Sequence, residues 1–218
     1  MARRKDVEKE FRRRFIAEVA FRLFAERSFE TVTVEDIARS AEFGKGTLYQ
    51  YFESKEEIAA YAIQEGVLAV CQRIEKECLQ EADIRRALDR LVELQYEFHA
   101  TYGRLFLSLL RRYLDGTLSG RAFDEVRNKY QAKTRLTAQV LERGISSGTV
   151  VPVDSYKLAR ILESAVKGFV VEGFECRRSG LEKSDIGLIK EILLNGIIRR
   201  EGEDGDGKRE RGSFDRRQ

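Results

Sequence analysis

Six of seven successive positions, Lys45, Gly46, Thr47, Tyr49, Gln50 and Tyr51, concentrate the chain's most suggestive chemistry in one short stretch, KGTLYQY. A helix opening at Lys45 aims its N-terminal turn outward, the geometry by which a helix enters a DNA major groove. Lys45 offers a charged donor for guanine O6 and N7 or for a phosphate, and Thr47 a hydroxyl for phosphate with a methyl for thymine. Gly46 carries no side chain, so the backbone itself can come close. Tyr49 and Tyr51 can send phenol hydroxyls to phosphates, and Gln50 can read adenine or face water. Thr33 and Lys55 stand at two neighbouring helix starts, where the helix dipole helps to hold phosphate. Leu48 and Phe52, spaced i and i+4, belong inside the protein instead.

The elements that must hold this edge are legible around it. A first helix is predicted from about Asp6 to Arg27, with Phe11, Phe15, Val19 and Leu23 at i+4 and Ile16, Ala20 and Phe24 widening the stripe. Ser28 stands where a left-handed glycine commonly ends a helix. Thr33 is placed to cap a second helix, its hydroxyl accepting from Asp36 N–H and Asp36 reaching back. The chain then turns through Glu42, Phe43 and Gly44 into the third helix. Ser54 opens S-K-E-E, a capping box with Glu57, and starts a fourth helix to about Gln80 that joins this head to a body.

The body reads as further helices. Asp83 starts a fifth, Gly103 breaks it, and RLFLSLLRRYL forms a short sixth. Gly116 and Gly120 bracket a loop before a seventh that ends near Ser146. After SSGTVVP, Asp154 caps an eighth, and Ser184 starts a ninth. One proline in 218 residues supports an all-α fold of about nine helices. The boundaries are 1–53 for a three-helix helix-turn-helix domain, 54–200 for a helical body, and 201–218 for a mixed-charge disordered tail containing Gly.

Composition excludes several function classes. No apolar run approaches the roughly 20 residues of a membrane span, and the basic N-terminus lacks a signal peptide's apolar stretch, so the cytoplasm is expected. Residues 1–14 hold seven basic against three acidic side chains, an arm suited to phosphates as well as to a solvated helix start. Cys71, Cys78 and Cys176 form no close pair and fit core packing better than redox sensing. His99 is the one histidine, which leaves little to build a metal site, and no cofactor is implied. Neither HExxH, GxGxxG nor a nucleophile elbow occurs, so an enzyme is not expected.

Residues 15–60, and GTLYQYFESKEE above all, closely resemble the tetracycline-repressor (TetR) family of bacterial transcription regulators. Phe24, Thr33, Ile37, Ala38, Ala41 and Lys45 fall at family positions, and the likeness covers about a quarter of the chain. It implies DNA contact at Thr33, Lys45, Gly46, Thr47, Tyr49, Tyr51 and Lys55. Glu42 departs from the usual turn glycine and Gly44 from the usual Ser or Thr cap, which leaves half-site register open.

The resemblance also implies a homodimer on a palindromic operator, joined by a four-helix bundle of the last two helices. Ala165, Gly168 and Gly173 allow close approach there, with Phe169, Phe174, Ile189, Leu193 and Ile197 supplying buried area. It implies a small-molecule effector among the middle helices, for which Tyr96, His99, Tyr102, Phe106, Tyr113, Phe123 and Tyr130 offer aromatic bodies with polar tips. The expected function is a repressor released by a small, largely apolar molecule. An activator of the same fold and a non-specific architectural DNA-binding protein are the alternatives.

Overall fold

Capping decides where this chain turns. Thr33 Oγ1 accepts from Asp36 N–H, and Asp36 Oδ2 accepts from Thr33 N–H at 3.1 Å, so two orphan donors are satisfied reciprocally as the sequence implied. Ser54 Oγ likewise accepts from Glu57 N–H at 3.1 Å, but the return arm differs: Glu57 Oε2 accepts from Glu53 N–H at 2.7 Å. Glu42 lies at φ 58°, the one left-handed non-glycine among the described residues, at the position where the resemblance expects glycine. Ser28 ends the first helix without entering that region; its carbonyl accepts from Thr31 and Val32 N–H instead.

The computed structural model describes residues 4–116, 118, 120–175 and 183–197, with side chains at all of these except 171, 173–175, 183–185 and 193. The described residues form eight α-helices: α1 (Arg4–Glu26), α2 (Val34–Ser40), α3 (Lys45–Leu48), α4 (Lys55–Arg73), α5 (Ile84–Leu114), α6 (Gly120–Ser146), α7 (Ser155–Glu175) and α8 (Lys183–Ile197). A π-helical turn, Ile74–Leu79, extends α4. Arg143 of α6 closes that extension by donating to the carbonyls of Cys78, Leu79 and Glu81 at 2.6–2.8 Å. Among the described residues no helix is long and apolar enough to cross a membrane.

Two expectations are corrected. Gly103 does not break α5, which runs unbroken for 31 residues with Gly103 buried inside it. A lone glycine costs a helix only about 1 kcal/mol, and burial of the apolar face of so long a helix outweighs that. The stripe on α1 also begins later than its spacing implied. Ile16, Ala20, Leu23 and Phe24 are buried, but Phe11 is 71% exposed and Phe15 43% exposed, the latter meeting only the rim of the head through Phe43 at 6.4 Å between ring centroids.

The head core forms as expected, with Ile16, Ala20, Phe24, Ile37, Leu48 and Phe52 all buried. In the body, α4 packs on α6, α5 on α7 and α6 on α7, with α8 lying against α5. Lys190 ties α8 to α5 through Asp89 and Glu93 at 2.8 and 2.7 Å. Cys78 is buried and Cys71 half-buried; burial pushes both thiols up to about 11, as packing residues rather than reactive ones. Cys176 and the tail 201–218 lie outside the described residues.

Candidate nucleic-acid interface and buried seam

Leu48 and Phe52 bury one face of the α3 turn, so the opposite face must point outward. Lys45, Gly46, Tyr49 and Gln50 are exposed, with Tyr49 at 46%, and Thr47 is half-buried. A Cβ built on Gly46 meets nothing within 4 Å, so the protein leaves open space above this backbone. Gly44 makes no side-chain cap, as its type dictates. Arg13 of α1 fixes the turn from behind: it donates to Tyr51 O at 2.7 Å and Glu57 at 3.2 Å, over the rings of Phe52 and Tyr61 at 4.4 and 4.9 Å. Sequence reading missed this arginine, whose partners lie about forty residues away.

Three of the DNA candidates are already engaged. Lys45 forms an exposed ion pair with Glu35 of α2, whose hydrogen bond raises the lysine pKa and lowers that of the carboxylate. Thr33 donates to Asp36 Oδ2 at 2.8 Å within its cap. Lys55 is turned inward. Its ammonium donates to Phe29 O and Val32 O at 2.7 and 2.8 Å and lies 4.4 Å from the Phe29 ring centroid, with burial lowering its pKa. In this arrangement Lys55 braces the α1–α2 loop and is not presented to phosphate. Tyr51 is half-buried, with its ring 6.1 Å from Phe43.

In the body, the expected aromatic residues largely meet. Ring centroids link Phe98 to Tyr102 (5.3 Å) and Tyr130 (5.5 Å), Tyr130 to Phe106 (5.1 Å), Phe106 to Phe123 (6.3 Å) and Phe123 to Tyr113 (4.2 Å) along the α5–α6 seam. His99 joins at Phe98 and Tyr130. Tyr96 is buried in α5, outside this chain of rings. His99 Nε2 and Tyr130 Oη are buried without a hydrogen-bond partner. Burial, with Lys133 and Lys167 nearby, pushes the His99 pKa down to about 2, so the imidazole is neutral.

Beside the rings lies a polar cluster that the sequence reading did not identify. Lys133 is fully buried, bonded to Gln95 Oε1 and, at 3.0 Å, to Glu163 Oε1 of α7. Glu163 also accepts from Thr134 at 2.7 Å and Thr137 at 2.9 Å. The available signal was register, since Lys133, Thr137 and Leu141 repeat at i+4 with core positions.

Tyr102 connects seam and head. It stacks on Phe21 of α1 at 4.6 Å and covers the bare backbone of Gly66 on α4, where an added Cβ would lie 2.3 Å from the ring. At the far end of α5, Arg112 pairs with Glu56 at 3.3 Å and lies over Phe29. A cavity of about 190 Å³ opens between these contacts, lined by α1, the loop that follows it and α5, with Phe24, Glu30 and Ser108 one from each.

The proposed dimer residues divide by exposure. Ala165 is exposed and Phe169 and Ile197 half-buried, whereas Ile189 is buried within the chain, against the expectation that it lies at an interface. Helix register turns it inward and leaves Leu188 and Ile192 at 48% and 63% exposure, alongside Ile161 at 63% on α7. Gly173, Phe174 and Leu193 have side chains outside the described residues.

Residues 16–62 match the family model described as bacterial regulatory proteins, tetR family. Over 199 residues the chain is 24% identical to the uncharacterized HTH-type transcriptional regulator YhgD of Bacillus subtilis, covering 85% of this chain and 96% of that protein. Over 61 residues it is 43% identical to the HTH-type transcriptional regulator SAUSA300_2515 of Staphylococcus aureus, covering 28% and 32% of the two chains. A crystal structure of a putative transcriptional regulator from Saccharomonospora viridis in complex with choline superposes with a TM-score of 0.70 at 27% identity, covering 86% of this chain and 98% of that one.

Proposed function

The chain belongs to the tetR family of bacterial regulatory proteins, and on that premise we propose a homodimeric repressor that leaves a palindromic operator when a small, largely apolar molecule enters its body. The observation that carries the DNA part is the α3 turn: an exposed Lys45, a glycine backbone with open space above it, and an exposed Tyr49 on a rigidly packed base. Lys45 must exchange Glu35 for DNA, which keeps part of its charge masked until docking. Thr47 and Gln50 complete the contact surface, with Tyr51 and Thr33 at its edge. Lys55 supports it from behind.

Exposed apolar residues on each of the last two helices, Ile161 and Ala165 on α7 and Leu188 and Ile192 on α8, support twofold pairing in which a partner covers them. Two heads then reach successive major-groove faces, about 34–36 Å apart. A ligand binding better to a body with another head spacing weakens DNA binding by that differential affinity. The S. viridis relative, which holds choline, supports a small-molecule role for the body. The aromatic α5–α6 seam is the favoured site, because Tyr102 leads from it to both α1 and α4.

Selection of sequences from a randomised duplex library by the full chain tests this reading. An inverted repeat should emerge, and Lys45→Ala, Thr47→Ala and Tyr49→Ala should each abolish its binding while sedimentation still finds a dimer. No sequence enrichment, or three variants that bind normally, would refute it.

A further inference from the structure

We propose that the effector is an uncharged apolar molecule whose hydroxyl bridges His99 Nε2 and Tyr130 Oη. This rests on the α5–α6 seam being the effector site. The two rings lie 6.4 Å apart between centroids, both touch Phe98, and both polar atoms are buried without a partner. Such groups carry a desolvation penalty until something bonds them. A hydroxyl donates and accepts at once, so it serves both atoms whichever imidazole nitrogen bears the proton.

Charge accounts for the rest of the specificity. The buried cation beside these rings, Lys133, is already balanced by Glu163, whose oxygens also accept from Thr134 and Thr137. A carboxylate guest would add a negative charge to a neutral pair and find no countercharge, since His99 is held neutral and Lys167 is exposed and screened by solvent. A cationic guest fares no better. Lys133 Nζ lies 5.5 Å from the Phe98 centroid and 5.6 Å from that of Tyr130, so the faces that would bind a foreign ammonium already hold an internal one.

Equilibrium dialysis of the full chain tests this with phenol, 1-naphthol and 4-phenylphenol, each against its parent hydrocarbon and the matching carboxylate and methylammonium derivatives. The alcohol of the best-fitting skeleton should bind about tenfold tighter than its hydrocarbon, the worth of one net hydrogen bond. Tyr130→Phe should bring the alcohol to the hydrocarbon's affinity while leaving the hydrocarbon unchanged, and His99→Leu should do the same independently. A carboxylate or ammonium that binds tightest overturns the proposal, as does an alcohol preference that survives both substitutions. Hydrocarbons that bind with no gain from the hydroxyl sink this inference and leave the seam standing. If no skeleton binds in any form, the seam reading falls with it.

Discussion

Gly66→Ala probes how a ligand in the body could reach the head. The added Cβ would sit 2.3, 2.5 and 2.8 Å from three Tyr102 ring atoms, against about 3.4 Å for ordinary contact, so the ring must move by roughly 1 Å. Tyr102 cannot swing freely, because Phe21 stacks on it at 4.6 Å and Phe98 at 5.3 Å. Overpacking of this kind costs about 1–3 kcal/mol, and replacing a helical glycine by alanine returns about 1. The net loss of roughly 0–2 kcal/mol lowers Tm by at most about 8 °C, so the protein stays folded. The displaced ring instead pushes on α1, and operator affinity should fall at least about tenfold, as ligand binding would make it fall. Fluorescence anisotropy on the selected operator gives the affinity and calorimetry the Tm. Gly66→Ala with Tyr102→Ala should bind DNA better than Gly66→Ala, because the clash is gone. A single variant with wild-type affinity, or a double variant no better than the single, would refute the coupling.

Other outcomes follow from the same contacts. Lys55→Met should lower Tm and weaken operator binding while leaving the salt dependence of affinity unchanged, whereas loss of a true phosphate contact reduces that slope by about one. His99 is held near pKa 2 in the folded chain against about 6.5 unfolded, so the unfolded state binds more protons between those values. Its stabilising contribution is complete above pH 6.5 and is lost as pH falls, by about 2 kcal/mol at pH 5. Urea melts of wild type should show that loss, and His99→Leu should remove it; parallel pH profiles would contradict the assignment. Ile192→Asp, on the exposed α8 stripe, should give monomers in sedimentation velocity and abolish operator binding with Tm little changed.

Local chemistry made much of the head legible. A cap such as Thr33–Asp36 closes within three residues, and the packing of Leu48 and Phe52 follows from one turn of helix, so both can be read from spacing. What sequence obscured depends on distant partners. Nothing near Lys55 indicates that its ammonium will find two carbonyls more than twenty residues earlier. Lys133 and Glu163 look like surface charges until α6 and α7 bring them together beside Gln95. Phe11 and Phe15 erred the other way, since an apolar stripe shows that a helix has a preferred face and says nothing of whether that face is covered. Of the seven aromatic and histidine residues read as a lining, six meet along the seam; Tyr96 does not, Phe98 at its centre was read only as a helix position, and the two unpartnered atoms were not foreseen.

Backbone at Gly46 lies against base pairs in the proposed complex, and a substitution that the folded protein cannot feel tests this. Since a Cβ there meets nothing within 4 Å, Gly46→Ala and Gly46→Val should leave Tm unchanged to within about 3 °C. Operator affinity should fall about tenfold for alanine and further for valine as the added atoms hold the helix off the groove floor. Two stable variants that bind the operator as tightly as wild type would place that backbone away from DNA and contradict the account.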